Sequence, residues 1–195
     1  MTPPARGPVL GIDGGHRDRT ALERLVLEAV QDTGCPRAVL LCTHPIRTGQ
    51  AHHAASVELP ATTGPTALAA LAARLMEPGA AVAGPDDGPA RGAQEYHPGA
   101  LQARQALLTR QAGRAVRFPG QESLRGRLTI ARALATGAVD RVDALGAEVD
   151  PDTVVDTRDF VRPVFHDGVL VLQVTPAAGG TVIPLELRDQ HICGH

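Results

Sequence analysis

The chain ends in His191-Ile192-Cys193-Gly194-His195, three potential metal ligands at alternate positions. In an extended segment alternate side chains project to one side, so the three would face a common point. A second window carries Cys42-Thr43-His44 and then His52-His53. Imidazole and thiolate are the usual ligands of zinc, and imidazole also suits copper, nickel, cobalt and iron. The pattern therefore points to zinc or another divalent transition metal, with Cys42, His44, His52, His191, Cys193 and His195 as candidate ligands. Three protein ligands plus an open position would make such a metal a Lewis acid or a water activator. Four ligands from the two Cys-x-His pairs would make it closed and structural.

Two further sets of residues could handle a ligand. Gly11-x-Asp13-Gly14-Gly15 precedes a helical stretch, where backbone N–H groups of Gly14 and Gly15 could hold an anion. Asp13 and His16 are the candidate catalytic carboxylate and imidazole of this turn. Near the C-terminus, Asp156-Thr157-Arg158-Asp159-Phe160-Val161-Arg162-Pro163 packs acids and arginines closely. A structural ion-pair network is the plain reading. Arg158 and Arg162 could instead grip a carboxylated ligand, because a guanidinium binds a carboxylate through two parallel hydrogen bonds.

The elements that must position these groups are read from periodicity. Val9 to Ile12 is a short apolar run, read as a buried strand. Leu22, Leu25, Val26, Ala29 and Val30 then recur on one helical face, with Asp18 or Thr20 as cap and Gly34 as stop. Ala38 to Cys42 supplies a second strand. Strand, helix, strand in this span is the signature of a parallel βαβ unit. Parallel neighbours would set Asp13, His16, Cys42 and His44 along one rim, where open α/β sheets bind ligands. Further helices are expected over Thr66 to Met76, Ala100 to Ala112 and Ser123 to Thr136. Gly84 to Gln94 is Gly-, Pro- and Asp-rich and reads as a loop. The turn Asp167-Gly168 between apolar runs marks an antiparallel hairpin, with Thr181 to Leu187 as a third strand. The expected fold is an α/β domain over residues 1–150 built on a parallel sheet, with a C-terminal antiparallel meander over 151–195 packed on it.

Composition bounds the function. Hydrophobic residues make up 43% and charged residues 21%, a globular profile. Aromatics are 2%, so the core must rest on Leu, Val and Ala. All 19 basic residues are Arg, which removes Schiff-base and P-loop lysine chemistry. The arginines are dispersed and the net charge is −2, so no nucleic-acid footprint is expected. No apolar run is long enough to span a bilayer. Three cysteines do not suggest a disulfide framework, which favours a reducing, cytoplasmic setting.

Gly15-His16-Arg17-Asp18 follows the first strand, and Pro45 to His52 runs on to Glu58-Leu59-Pro60. This arrangement resembles the small sirohydrochlorin-type tetrapyrrole chelatases. In that family a His-Gly-Ser-Arg-Asp-like run follows the first strand, and a later strand leads to Gly-x-His and then Asp-Ile-Pro. Here the histidine follows the glycines, and the two motifs lie closer together. The resemblance covers less than a third of the chain. It implies metal ligation and pyrrole N–H deprotonation by His16 and by His52 or His53. Two other classes fit the same residues: a non-catalytic module binding a small molecule or partner, and a metal-independent hydrolase using Asp13 and His16.

Overall fold

The computed structural model describes residues 6–33, 35, 39–47, 49–77, 79–145 and 149–188. The chain divides into two compact units, Met1–Arg117 and Phe118–His195.

In the first unit, β1 (Val9–His16) leads through α1 (Arg19–Asp32) to β2 (Leu40–Ile46). A short turn then sends the chain back as β3 (His52–Glu58). α2 (Pro65–Met76), β4 (Ala81–Ala83), β5 (Arg91–Gly92), α3 (His97–Thr109) and β6 (Ala112–Arg117) complete it. The strand order is β5-β4-β1-β3-β2-β6. Every neighbouring pair in this order is antiparallel.

The parallel sheet expected from the sequence is therefore wrong. β1 and β2 do run in the same direction, joined by α1, but β3 lies between them and pairs antiparallel with both. The missed element is the hairpin return: His52 to Glu58 is a strand, where only Ser56 to Pro60 reads as extended in the sequence. Its run His-His-Ala-Ala-Ser-Val-Glu is rich in small and polar residues and carries a weak strand signal. The order β4-β1-β3-β2 is that of a ferredoxin-like split βαββαβ arrangement.

Alternation along the strands sorts the two faces of this sheet. Leu10, Ile12, Leu41, Ala55, Val57 and Val82 pack with Leu22, Val26 and Leu71 from α1 and α2. The opposite face is covered by α3, where Ala100 packs with Ala81 and Ala83, and Ala103 with Ile46 and Ala54. A Cβ on Gly11 would lie 2.0 Å from the Ala100 carbonyl oxygen, so only glycine lets α3 sit this close to β1. α1 is capped by the Asp18 carboxylate, which accepts from Thr20 N and Ala21 N.

The second unit holds β7 (Arg127–Thr129), α4 (Ile130–Ala135), β8 (Arg141–Ala144) and β9 (Val154–Asp156). β10 (Val164–His166), β11 (Val169–Ala177) and β12 (Thr181–Pro184) follow. β10, β11 and β12 pair antiparallel in succession. Asp167 and Gly168 both take positive φ, 47° and 88°, which is the backbone of a type I′ hairpin turn. β8 pairs parallel with β11, β9 pairs parallel with β12, and β7 pairs antiparallel with β9. The helix expected from Ser123 is shorter: Thr129 caps it, its hydroxyl accepting from Arg132 N at 3.2 Å.

Candidate functional site

Asp13 anchors the site. It lies on β1, on the α3 face of the sheet, and is 1% exposed. After it, Gly14 and Gly15 form a bulge in β1, since the pairing with β3 passes from Asp13↔Ala54 to His16↔His53. Gly15 takes φ 67°, and a Cβ there would meet the Tyr96 hydroxyl at 2.6 Å. The Gly15 N–H donates back to Asp13 Oδ1 at 2.9 Å. Gly14 and Gly15 thus shape the strand around Asp13. The Gly15 N–H is engaged by Asp13 in this arrangement.

The second carboxylate oxygen, Asp13 Oδ2, accepts from His52 Nε2 at 2.9 Å. The other nitrogen of the ring, His52 Nδ1, donates to the Gln50 carbonyl at 2.7 Å. Both nitrogens therefore face oxygen atoms, an arrangement that favours the doubly protonated ring. Burial alone would lower the His52 pKa, but the Gln50 carbonyl and the Asp13 carboxylate outweigh it and the net shift is upward. Asp13 also lies against the first turn of α3. A Cβ on Gly99 would sit 1.8 Å from Asp13 Oδ2. The positive end of the helix dipole favours a negative charge there. Tyr96, just before α3, packs its ring edge-on against His52, with centroids 6.1 Å apart.

His16 follows the bulge, pairs with His53 and lies within electrostatic reach of Asp13 and His52. Its Nδ1 is buried and has no hydrogen-bond partner among the described residues. Burial lowers its pKa, opposed by the Asp13 charge and assisted by His52. His53 is also shifted down, by burial and then by Arg19, His52 and Arg114, with Asp18 opposing. The Asp13 charge thus acts on two imidazoles whose pKa values are shifted in opposite directions, His52 up and His16 down.

Cys42 and His44 share the α3 face with Asp13 but not its site. The row Asp13–Ala54–His44 crosses three strands, so Asp13 and His44 are two strand spacings apart, roughly 9.6 Å. The common rim expected from parallel neighbours is split by β3. Cys42 is fully buried and its thiol is pushed up to about 12, by burial first, with Arg110 opposing and Glu58 adding. Such a thiol is protonated and inert. His44 is 3% exposed, its Nε2 lies 2.7 Å from Ser56 Oγ, and burial pulls its pKa down to about 4. Nearby, Arg110 pairs with Glu58 at 2.6 Å.

In the second unit, the Arg158 backbone N–H donates to Asp156 Oδ1 at 3.2 Å and its guanidinium lies 3.4 Å from Asp156 Oδ2. The Arg162 guanidinium stacks 4.1 Å from the Phe160 ring centroid and donates to the Val161 carbonyl. These are the local structural contacts of the plain reading. Arg158 also borders an open cleft with Arg127 and Asp156. His191, Cys193 and His195 lie outside the described residues. Among the described residues no group of three or more His, Cys, Asp or Glu side chains is arranged to hold a metal ion. None of the described helices is long and apolar enough to cross a membrane.

Tyr96 and Gly99 were not legible as site residues. Their signal is slight: the chain's single tyrosine, followed by His-Pro-Gly at a helix start. Comparison of the chain with known families, with characterised proteins and with solved structures gave no match.

Proposed function

We propose that His16, Asp13 and His52 form an acid–base site acting on a small-molecule ligand. In this reading the His52 imidazolium, held by Asp13, donates a proton, and His16 Nδ1 accepts one. The observation that carries it is the asymmetry of the two imidazoles: both nitrogens of His52 are engaged, whereas a buried nitrogen of His16 has no partner. A buried polar atom without a partner calls for an explanation, and an absent ligand group is a specific one. Pairs of titratable groups pushed apart by their surroundings are how acid and base roles are divided.

Long-range proton–nitrogen NMR of the histidine rings tests this directly. In a pH titration His52 should keep its second proton to a higher pH than His16 does. A panel of small carboxylates, phosphates and esters should contain compounds that shift the His16 and His52 signals, an effect lost in His16→Ala. A neutral His52 beside a charged His16 would refute the reading, as would a panel that leaves both rings unmoved.

A second reading rests on the same unpartnered nitrogen, because a neutral imidazole lone pair also binds transition metals. Elemental analysis of protein purified without a His tag tests it. Stoichiometric zinc or another divalent metal, lost in His16→Ala or in Cys193→Ala with His195→Ala, would support it. The chelatase-like reading places the metal-handling and proton-removing roles on His16 and His52, and a porphyrin titration followed at the Soret band tests it separately.

A further inference from the structure

A cleft of about 310 Å³ opens on the other face of the sheet, between α2 and the connection from β4 to β5. Its floor is Leu10 and Val82 from β1 and β4. One wall is Leu68, Ala72 and Met76, a stripe at i, i+4 and i+8 along α2. These three are only partly buried, whereas Leu71 and Leu75 on the same helix are fully buried. α2 thus keeps a second apolar stripe that the described residues cover only in part. The facing wall is the segment carrying Pro85, Pro89 and the charged residues Asp86 and Arg91.

That wall is fixed in place. The buried guanidinium of Arg104, on α3, donates to the Pro85 carbonyl and to Asp87 Oδ1. Two prolines and a buried arginine reduce the entropy lost when a ligand is enclosed. Asp87 is held by Arg104, but the side chains of Asp86 and Arg91 have no hydrogen-bond or ion-pair partner among the described residues. The mouth of an apolar cleft therefore carries one free carboxylate and one free guanidinium.

We propose that this cleft binds a free apolar α-amino acid. Arg91 takes the carboxylate, Asp86 takes the ammonium, and the side chain lies on Leu10, Leu68, Ala72, Met76 and Val82. Opposite charges along one wall of the cleft match a zwitterion. A simple fatty carboxylate would leave Asp86 unmatched, and an alkylamine would leave Arg91 unmatched. The volume lies at the small end of ligand pockets and suits a compact ligand. This site is on the opposite face of the sheet from the Asp13 cluster and does not depend on it.

The test is calorimetric titration of the full chain with L-leucine, repeated with N-acetyl-leucine and with leucinamide. Saturable 1:1 binding of leucine is expected. Each analogue, lacking one charge, should bind roughly tenfold or more weakly, as should leucine to Arg91→Ala and Asp86→Ala. Both positions are exposed, so these variants keep the wild-type fold, checked by circular dichroism. Ala72→Trp should fill the cleft and abolish binding, and the exposed Ala69→Trp serves the same purpose should Ala72→Trp unfold the protein. No binding of leucine in the millimolar range would overturn the proposal. So would N-acetyl-leucine binding as tightly as leucine, or leucine binding unchanged in a folded Trp variant.

Discussion

Gly99→Ala sets two physical effects against each other. Gly99 is in the first turn of α3, and replacing glycine by alanine within a helix ordinarily stabilises by up to about 1 kcal/mol. Here the new methyl would fall 1.8 Å from Asp13 Oδ2, far inside contact distance. Either α3 lifts from the sheet or the Asp13 carboxylate turns away. Overpacking of this kind costs roughly 1–3 kcal/mol. Turning Asp13 away also breaks its charge-assisted bond from His52, worth roughly 1.5–3 kcal/mol. Net destabilisation of roughly 1.5–5 kcal/mol follows once the propensity gain is subtracted. Urea denaturation at pH 7 reads the stability. NMR titration of His52 reads the site, where the pKa should fall because a raising partner is lost. Gly84→Ala is the control: a Cβ there meets nothing within 4 Å, and stability should change by less than about 0.5 kcal/mol. A Gly99→Ala protein as stable as wild type, with His52 titrating as before, would refute the packing of α3 on Asp13.

His44 makes stability depend on pH. Its folded pKa is depressed from 6.5 to about 4, so between those values the unfolded chain binds a proton that the folded chain does not. Its contribution is complete above pH 6.5 and is lost as the pH falls toward 4, amounting to roughly 3 kcal/mol. Denaturation midpoints of wild type and His44→Asn at pH 7 and pH 4.5 should show a smaller pH dependence in the variant. Cys42 should resist iodoacetamide in the folded protein and react only on unfolding, as mass spectrometry can follow. Arg110→Ala should destabilise by roughly 3–5 kcal/mol by leaving Glu58 buried without this partner, and Arg110→Ala with Glu58→Gln should recover part of the loss in chemical denaturation. Asp13→Asn should lower the His52 pKa, since an amide removes the negative charge that favours the imidazolium.

The strands and helices with strong periodicity were legible. Leu22, Val26 and Ala29 marked α1, and the apolar runs before and after Asp167-Gly168 marked the hairpin of β10 and β11. Sheet direction was not, and β3 shows why. A βαβ reading assumes that two strands joined by a helix become neighbours. That assumption fails when a third strand inserts between them, and here the inserting strand begins with two histidines. Nothing in the residues 40–46 distinguishes a strand with a parallel neighbour from one with antiparallel neighbours on both sides. The same insertion explains the site. Asp13 and His52 are far apart in sequence and meet only because β3 returns beside β1, and the expected common rim of Asp13, His16, Cys42 and His44 is split because β3 also separates β1 from β2.

The α3 face of this sheet carries three buried polar pairs: Asp13 with His52, His44 with Ser56, and Glu58 with Arg110. Burying polar side chains under a helix costs free energy unless each is matched, so a polar face alone says nothing about function. His44 with Ser56 and Glu58 with Arg110 are explained as matched pairs within the core, and His44 and Glu58 are almost wholly enclosed. The Asp13 pair differs in its surroundings. It lies beside a strand bulge, under the first turn of α3, and within electrostatic reach of a second imidazole whose buried nitrogen has no partner among the described residues. Stability would be served as well by a matched core pair without the neighbouring unsatisfied ring. The strand bulge, the helix turn lying on the carboxylate and the second imidazole within electrostatic reach are what separate the Asp13 pair from the other two and make it the place to look for chemistry.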